Sequence, residues 1–430
     1  MKKLSKILYA SVFASVLAVT LIGCNRTPEG ETTADIVAKA SKMTLAELEA
    51  AAEAEMTASN DTFKLVGLTS AIKRGVLRMA EQYDWLTEDK IYVNNSYKDY
   101  ALLTALEQAD DSYFADYALI QDARSLSDYL EAGITVNYVP SDYKELGLPE
   151  HLTYPLAGIH FNKVFYVNDR IGPDFHNVWQ ISGSEEDPEH LGNLSFQTPV
   201  TEQINMSFLL SLYSPENQTK LATAYKKYYG KDWVPSDKFT NIGEEYVDGL
   251  IKNVSRWHTS DGTVMKVTNA HEEVVEGEDP FVIYGAFAKM KDCIGYTSSV
   301  YEDVENTMEL VKWDLEIEGF NGFMYAMYSQ VIKNAKHPYT ASLFARYMLT
   351  PDFYENIIYN ADTPNKAGEP SNMYGYYFPA NVGNVGYNDN DWSKEKWIQN
   401  SVNEDFEFLA SIKGAQVNSI LALVASNKKA

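Results

Sequence analysis

Three observations predict an α/β fold built from two domains. Strand-like and helical segments alternate through two successive series, which argues for mainly parallel sheets covered by helices. Hydroxyl- or Asp-bearing turns sit where strands hand over to helices. At 430 residues and 45% hydrophobic content, the chain exceeds what one core normally holds.

The chain opens like a secretory leader: Lys2, Lys3 and Lys6 form a basic start, Ile7 to Ile22 an apolar run, and Gly23 a small-residue site. The run is shorter than the ~20 residues that cross a bilayer as a helix. Leu21-Ile22-Gly23-Cys24 resembles the lipobox of bacterial lipoproteins. That implies a signal at 1–23, lipid on Cys24, and an extracytoplasmic protein anchored to a bacterial membrane. Residues 24–43, polar at first and broken by Pro28 and Gly30, read as a flexible tether. Removing the three leader lysines leaves 33 basic against 60 acidic residues and takes the formal charge from −24 to −27. Such a chain repels nucleic acid and anionic lipid, so no nucleic-acid partner is expected. With Cys24 lipidated, Cys293 has no disulfide partner and reads as a small buried apolar residue.

The first series begins with a capping box, Thr44 to Glu47, opening a helix to Met56. Phe63 to Leu68 reads as a buried strand, Thr69-Ser70 as its hydroxyl turn, and Ala71 to Tyr83 as a helix. Lys90 to Val93 and Tyr117 to Gln121 are further strands; Tyr97 to Glu107 and Ser125 to Ala132 are the helices after them. Ile134 to Pro149 reads as loop, and His160 to Val167 as a strongly β-prone run.

The second series runs from the strand Leu194 to Phe196 through a helix start at Pro199 to Glu202. Helices follow at Ile204 to Ser211, Gln218 to Tyr228 and Gly243 to Val254. Thr263 to Thr268 and Phe281 to Tyr284 read as strands, and Phe323 to Ile332 is apolar and aromatic. Pro338 opens a helix to Leu349, Pro364 to Asn390 reads as loop, and an amphipathic helical tail runs from Lys394 to Leu423.

Several stretches together resemble the solute-binding lipoproteins of ABC importers, nearest the ferric-iron, phosphonate, thiamine and polyamine binders. They are Leu48 to Met56 with Phe63 to Ser70, Leu130 to Gly133 with Tyr138 and Pro140, Val178-Trp179, Leu191 to Phe196, and Thr198-Pro199. The most specific is Asn334 to Ala341 with Leu343-Phe344, Tyr347 to Leu349 and Thr350-Pro351, where His337 stands in place of the family's Asn. The resemblance implies a two-lobed periplasmic-binding-protein-like fold, each lobe a mainly parallel sheet flanked by helices and joined by a hinge. Residues 44–160 then begin lobe 1, 161–318 form lobe 2, and 319–430 return to lobe 1 and add a C-terminal helical region. It also implies a monomer without a cofactor that binds a small solute and works with an ABC permease.

Open α/β sheets bind ligands at strand ends, where backbone N–H groups and helix dipoles converge. On that argument Thr69 and Ser70 are the first candidates, with Ser96, Asp122 and Thr201 beside them. Trp179 and Trp257, with His258 and Asp261, could line a cleft for a sugar or amine by stacking and charge pairing. Iron-binding relatives use a Tyr-Tyr pair, and this chain has Tyr228-Tyr229, which looks structural, and Tyr376-Tyr377 in the unmatched loop. No metal site is assigned: Asp389-Asn390-Asp391 begins like a calcium loop, but Lys394 fills the required Gly position. Nucleophile-elbow, zinc-protease and phosphate-loop signatures are absent, so no enzyme is expected. A glycan-active hydrolase using two carboxylates, and a sensory or adhesive lipoprotein, are the alternatives.

Overall fold

Two capping boxes begin the folded chain. Thr32 with Asp35 caps α1 (Thr33–Ala40) and Thr44 with Glu47 caps α2 (Leu45–Ala58), each satisfying helix N–H groups reciprocally. The second box is the predicted one. The first lies inside the stretch expected to be tether, so helical structure starts earlier than its composition suggests. The protein is represented by a computed structural model that describes residues 30–97, 99–109, 112–170, 174–185, 194–268, 282–293, 297–298, 301–313, 315–359, 376–377, 394–412 and 414–427. Cys24 and the leader, His271 and the Asp389 segment lie outside them.

The first series folds as the alternation predicts. β1 (Phe63–Gly67) leads into α3 (Ser70–Ala80), β2 (Ile91–Asn94) into α4 (Asp99–Ala109), and β3 (Tyr117–Ile120) into α5 (Ala123–Glu131), with β1 parallel to both neighbours. After the short β4 (Thr135–Val136) comes the long β5 (Ala157–Asn168), then α6 (Trp179–Ser182). The second series is β6 (Leu194–Gln197), α7 (Gln203–Ser211), α8 (Pro215–Tyr229), α9 (Ile242–Lys252), β7 (Val254–His258), α10 (Asp261–Thr268) and β8 (Val282–Ala286). Here β6 lies between β7 and β8 and is parallel to both. The chain continues through β9 (Val311–Lys312), β10 (Gly322–Ile332), α11 (Pro338–Tyr347), α12 (Pro351–Phe353) and β11 (Tyr376–Tyr377). It ends with α13 (Lys394–Gln399), β12 (Ser401–Asn403), α14 (Phe406–Ser411) and α15 (Ala415–Ser426).

The two parallel sets belong to one sheet, in the order β2-β1-β3-β10-β5-β8-β6-β7. Strands β10 and β5 form an antiparallel seam between them: Tyr328 to Val331 pair with β3, while Lys163 to Val167 pair with β8. Their backbones meet so closely that a Cβ on Gly322 would lie 2.1 Å from the Lys163 carbonyl oxygen, so only glycine fits there. The β10–β5 register shifts between Met327 and Tyr328, a local irregularity within the seam. Aromatic rings fill the core of the second half: Tyr284 stacks on Phe208 at 4.5 Å and on Phe196 at 4.9 Å. Each such pair adds about 0.5–1.5 kcal/mol beyond its burial.

Two segments differ from expectation. Thr263 to Thr268, β-branched enough to suggest a strand, belongs to α10. The Ser260 hydroxyl accepts from the Thr263 N–H, and Val264 and Met265 are buried against the sheet, so capping and packing override propensity. The strand of that region is instead β7, just after α9. The C-terminal tail is not one helix: β12 interrupts it and pairs in parallel with Gly322 to Met324 of β10.

Candidate functional site

A cavity of about 520 Å³ opens where the C-terminal ends of both parallel sets face each other across the seam. The first half contributes Leu68 and Thr69 after β1, Asn95 to Tyr97 after β2, and Gln121 after β3. The second contributes Gln197, Thr201 and Glu202 at and after the end of β6, Ser260 to Gly262 after β7, and Ala286, Ala288 and Lys289 at and after β8. Phe161 on β5 and Tyr325 and Met327 on β10 form the floor, the two rings stacked at 5.9 Å. This volume and this mixture of an apolar floor with a few polar groups suit a small-molecule site.

Thr69 caps α3, its hydroxyl accepting from the Ala71 N–H at 3.3 Å. Asn94 positions Ser96 by accepting from both its N–H and its hydroxyl. Across the cavity the wall is charged. Lys163, on β5 and 1% exposed, directs its ammonium at Asn205 Oδ1 (2.9 Å), Asp261 Oδ1 (3.2 Å) and Gln197 Oε1 (3.4 Å). Gln197 donates to Glu202 Oε2, and Asn205 to the Gln197 carbonyl, so these side chains hold one another. Behind them His258 Nε2 meets Ser195 Oγ at 2.5 Å; burial, with Arg256 nearby, pushes the imidazole down to about 4.

Of the predicted residues, the structure brings Thr69, Ser96 and Thr201 together on the cavity wall, and Asp261 with them. Ser70 is exposed and accepts from Arg74 as part of the first turn of α3. Asp122 is buried as the cap of α5, accepting from the Arg124 N–H and the Ser125 hydroxyl. Arg124 in turn donates to Gln203 at the start of α7, joining the two halves beside the cavity. Trp179 is corrected: it is fully buried, ringed edge-on by Tyr225, Tyr229 and Tyr246, and its indole N–H donates to the Leu221 carbonyl. Trp257 lies on the outer strand β7, half-buried against Phe196 and outside the cavity lining. Tyr376 and Tyr377 pair through their backbone with Phe161 and His160, which places β11 beside the cavity floor. Their side chains lie outside the described part of the structure. Among the described residues no three His, Cys, Asp or Glu side chains converge to hold a metal ion, and no helix is long and apolar enough to cross a membrane.

Sequence reasoning missed Lys163, Gln197, Phe161 and Tyr325. Lys163 had a visible signal, as the lone Lys, Arg, Asp or Glu in the β-prone run from Ala157 to Val167. The floor rings had none, because an aromatic on a buried strand reads as core.

No protein-family model matches the sequence, and no curated protein does. Solved structures do match the fold. The Trichodesmium protein IdiA (FutA), in complex with iron and citrate, is 13% identical with a TM-score of 0.56, covering 85% of this chain and 99% of its own. Iron-bound HitA from Pseudomonas aeruginosa is 12% identical with a TM-score of 0.55, covering 86% and 99%. Apo FutA2 from Synechocystis is 12% identical with a TM-score of 0.52 and the same coverage. At these identities the likeness shows the fold, that of the two-lobed periplasmic binding proteins.

Proposed function

We propose that this protein is the extracytoplasmic solute-binding component of an ABC importer. It takes a small polar solute into the cavity between the two parallel halves and hands it to a membrane permease. The observation that carries this reading is the cavity's construction: each half supplies one wall from its strand ends, and the strands that join the halves supply the floor. A solute held there buries surface against both halves at once, so its binding energy draws them together by bending at the seam. The lipobox-like Leu21 to Cys24 supports a lipid anchor that keeps the binder near its permease and raises its effective concentration there. Of the two wall carboxylates, Asp261 is paired with Lys163 and Glu202 accepts from Gln197. Both serve as acceptors within the wall, which favours binding over the acid and nucleophile pair of a glycan hydrolase.

A thermal-shift screen of the purified protein across ferric iron, polyamines, oligosaccharides, thiamine, phosphonates and carboxylates tests the reading. A ligand that binds only the folded state raises the melting temperature, and small-angle scattering with that ligand should show a more compact particle. A verified ligand that leaves the scattering profile unchanged argues against closure between the halves.

A further inference from the structure

We infer that Lys163 is the cleft's built-in cation, and that the solute is therefore an organic oxyanion, such as a carboxylate, and not an uncomplexed metal ion. This rests on the cavity being the solute site.

The ammonium has three N–H donors and three oxygen acceptors drawn from β6, α7 and α10, so it is saturated by protein. It does not reach out to the solute. It acts through Gln197 and Asp261, which both line the cavity, and is a positioning residue. Two of the oxygens that a metal ion would use on this wall, Gln197 Oε1 and Asp261 Oδ1, already face a fixed positive charge. Repulsion from that charge scales with the charge of the incoming ion, so a trivalent cation meets about three times what a monovalent one does.

Among the described residues the charges at the cavity also balance: Asp261 and Glu202 are negative, Lys289 and the underlying Lys163 positive, and the first half lines the cavity with no charged side chain. The N-terminal ends of α3, α7 and α10 all open onto this space, and their positive dipole ends tip a balanced cavity toward an anionic group. Among the described side chains the cavity phenols are not arranged as a pair: Tyr97 packs on Phe114, and Tyr325 is 5% exposed between Phe161 and Phe323.

The test uses the purified chain and three probe sets: ferric nitrilotriacetate, a carboxylate panel (acetate, succinate, glutamate, citrate), and neutral sugars. Melting temperature and the visible phenolate-to-iron absorption are read for each. Wild-type protein is expected to be stabilised by a carboxylate and to develop no iron band. Lys163→Gln should weaken that carboxylate at least tenfold and shift the carboxylate-to-iron preference toward iron. Asp261→Asn, which leaves Lys163 with excess positive charge, should bind the carboxylate more tightly and serves if Lys163→Gln fails to fold. An iron band in the wild type, stabilisation by a neutral sugar but by no carboxylate, or unchanged selectivity in Lys163→Gln would each overturn the inference and leave the solute-binding role standing. No response to any probe of any class would instead count against the solute-binding role itself.

Discussion

Asp116 and Lys163 are both fully buried charged side chains, one in the first half of the sheet and one on the seam facing the second, and their surroundings answer them differently. Asp116 stands just before β3, at the end of the strands away from the cavity. It accepts from the main-chain N–H groups of Lys64 (2.8 Å), Lys336 (2.7 Å) and His337 (2.9 Å), and from the Tyr113 hydroxyl, with His337 Nδ1 at 3.1 Å. Lys163 is satisfied by side chains alone, two of which border the cavity. Main-chain partners fix a clasp that nothing in the cavity can move. Side-chain partners couple the buried charge to whatever sits in the site. The same need to satisfy a buried charge thus gives a structural fastening at one end and a selective wall at the other.

Removing the clasp should produce the largest effect. Asp116→Ala strands three main-chain N–H groups and the buried His337 ring, and should destabilise the protein by about 3–5 kcal/mol in a denaturant titration. Solute affinity of the folded fraction should be unchanged. A shift in solute preference would break the division of labour between the two ends. Ser59 completes a chain to this cluster, its hydroxyl 2.8 Å from His337 Nε2. That connectivity resembles a catalytic relay, but none of the three residues borders the cavity, and main-chain donors occupy Asp116.

Between the two ends, Glu404 reports on the seam. Its carboxyl accepts from the Ala326 N–H and the Tyr328 hydroxyl, and burial pushes it up to about 8. The folded chain therefore binds this proton more tightly than the unfolded chain, whose group titrates near the ordinary 4.5. The resulting stabilisation is complete below about pH 4.5 and is lost as pH rises toward 8. His258 works in the opposite direction: its lowered value contributes stability above about 6.5 that is lost on acidification toward 4. Melting temperature measured from pH 5.5 to 8.5 should fall on the alkaline side in the wild type. Glu404→Gln should lessen that fall and leave the acid limb in place; the remainder belongs to Glu55, which burial raises to about 7.

The division between halves was only partly legible in the sequence. Strand ends and caps are local, so Thr69, Ser96 and Thr201 could be found from turn chemistry between periodic runs. The single sheet could not, because β5 and β10 lie more than 150 residues apart and their pairing is a tertiary choice. Trp179 misled because a large aromatic beside a polar turn reads equally as cleft or core. His337 is informative in another way. The resemblance places an Asn at this helix start, and here the capping is supplied from a distance: Glu55 of α2 accepts from the Tyr339 and Thr340 N–H groups. A cap supplied by another helix leaves no local signature.

The smallest change sharpens the comparison most. Thr69 lies on the wall that carries no charged side chain among the described residues and does two jobs: it caps α3 through the Ala71 N–H, and it borders the cavity. Thr69→Ala should lower stability by about 1 kcal/mol, the usual cost of a lost cap, while Thr69→Ser should restore it. If the uncharged wall supplies hydrogen bonds and the opposite wall supplies charge discrimination, Thr69→Ala will weaken every accepted solute by a similar factor and leave their ranking intact. Calorimetric titration of two carboxylates differing by one charge reads this directly. A changed ranking in Thr69→Ala would mean that the first half also senses solute charge, through the exposed start of α3, and the asymmetry drawn from Lys163 would have to be shared between both walls.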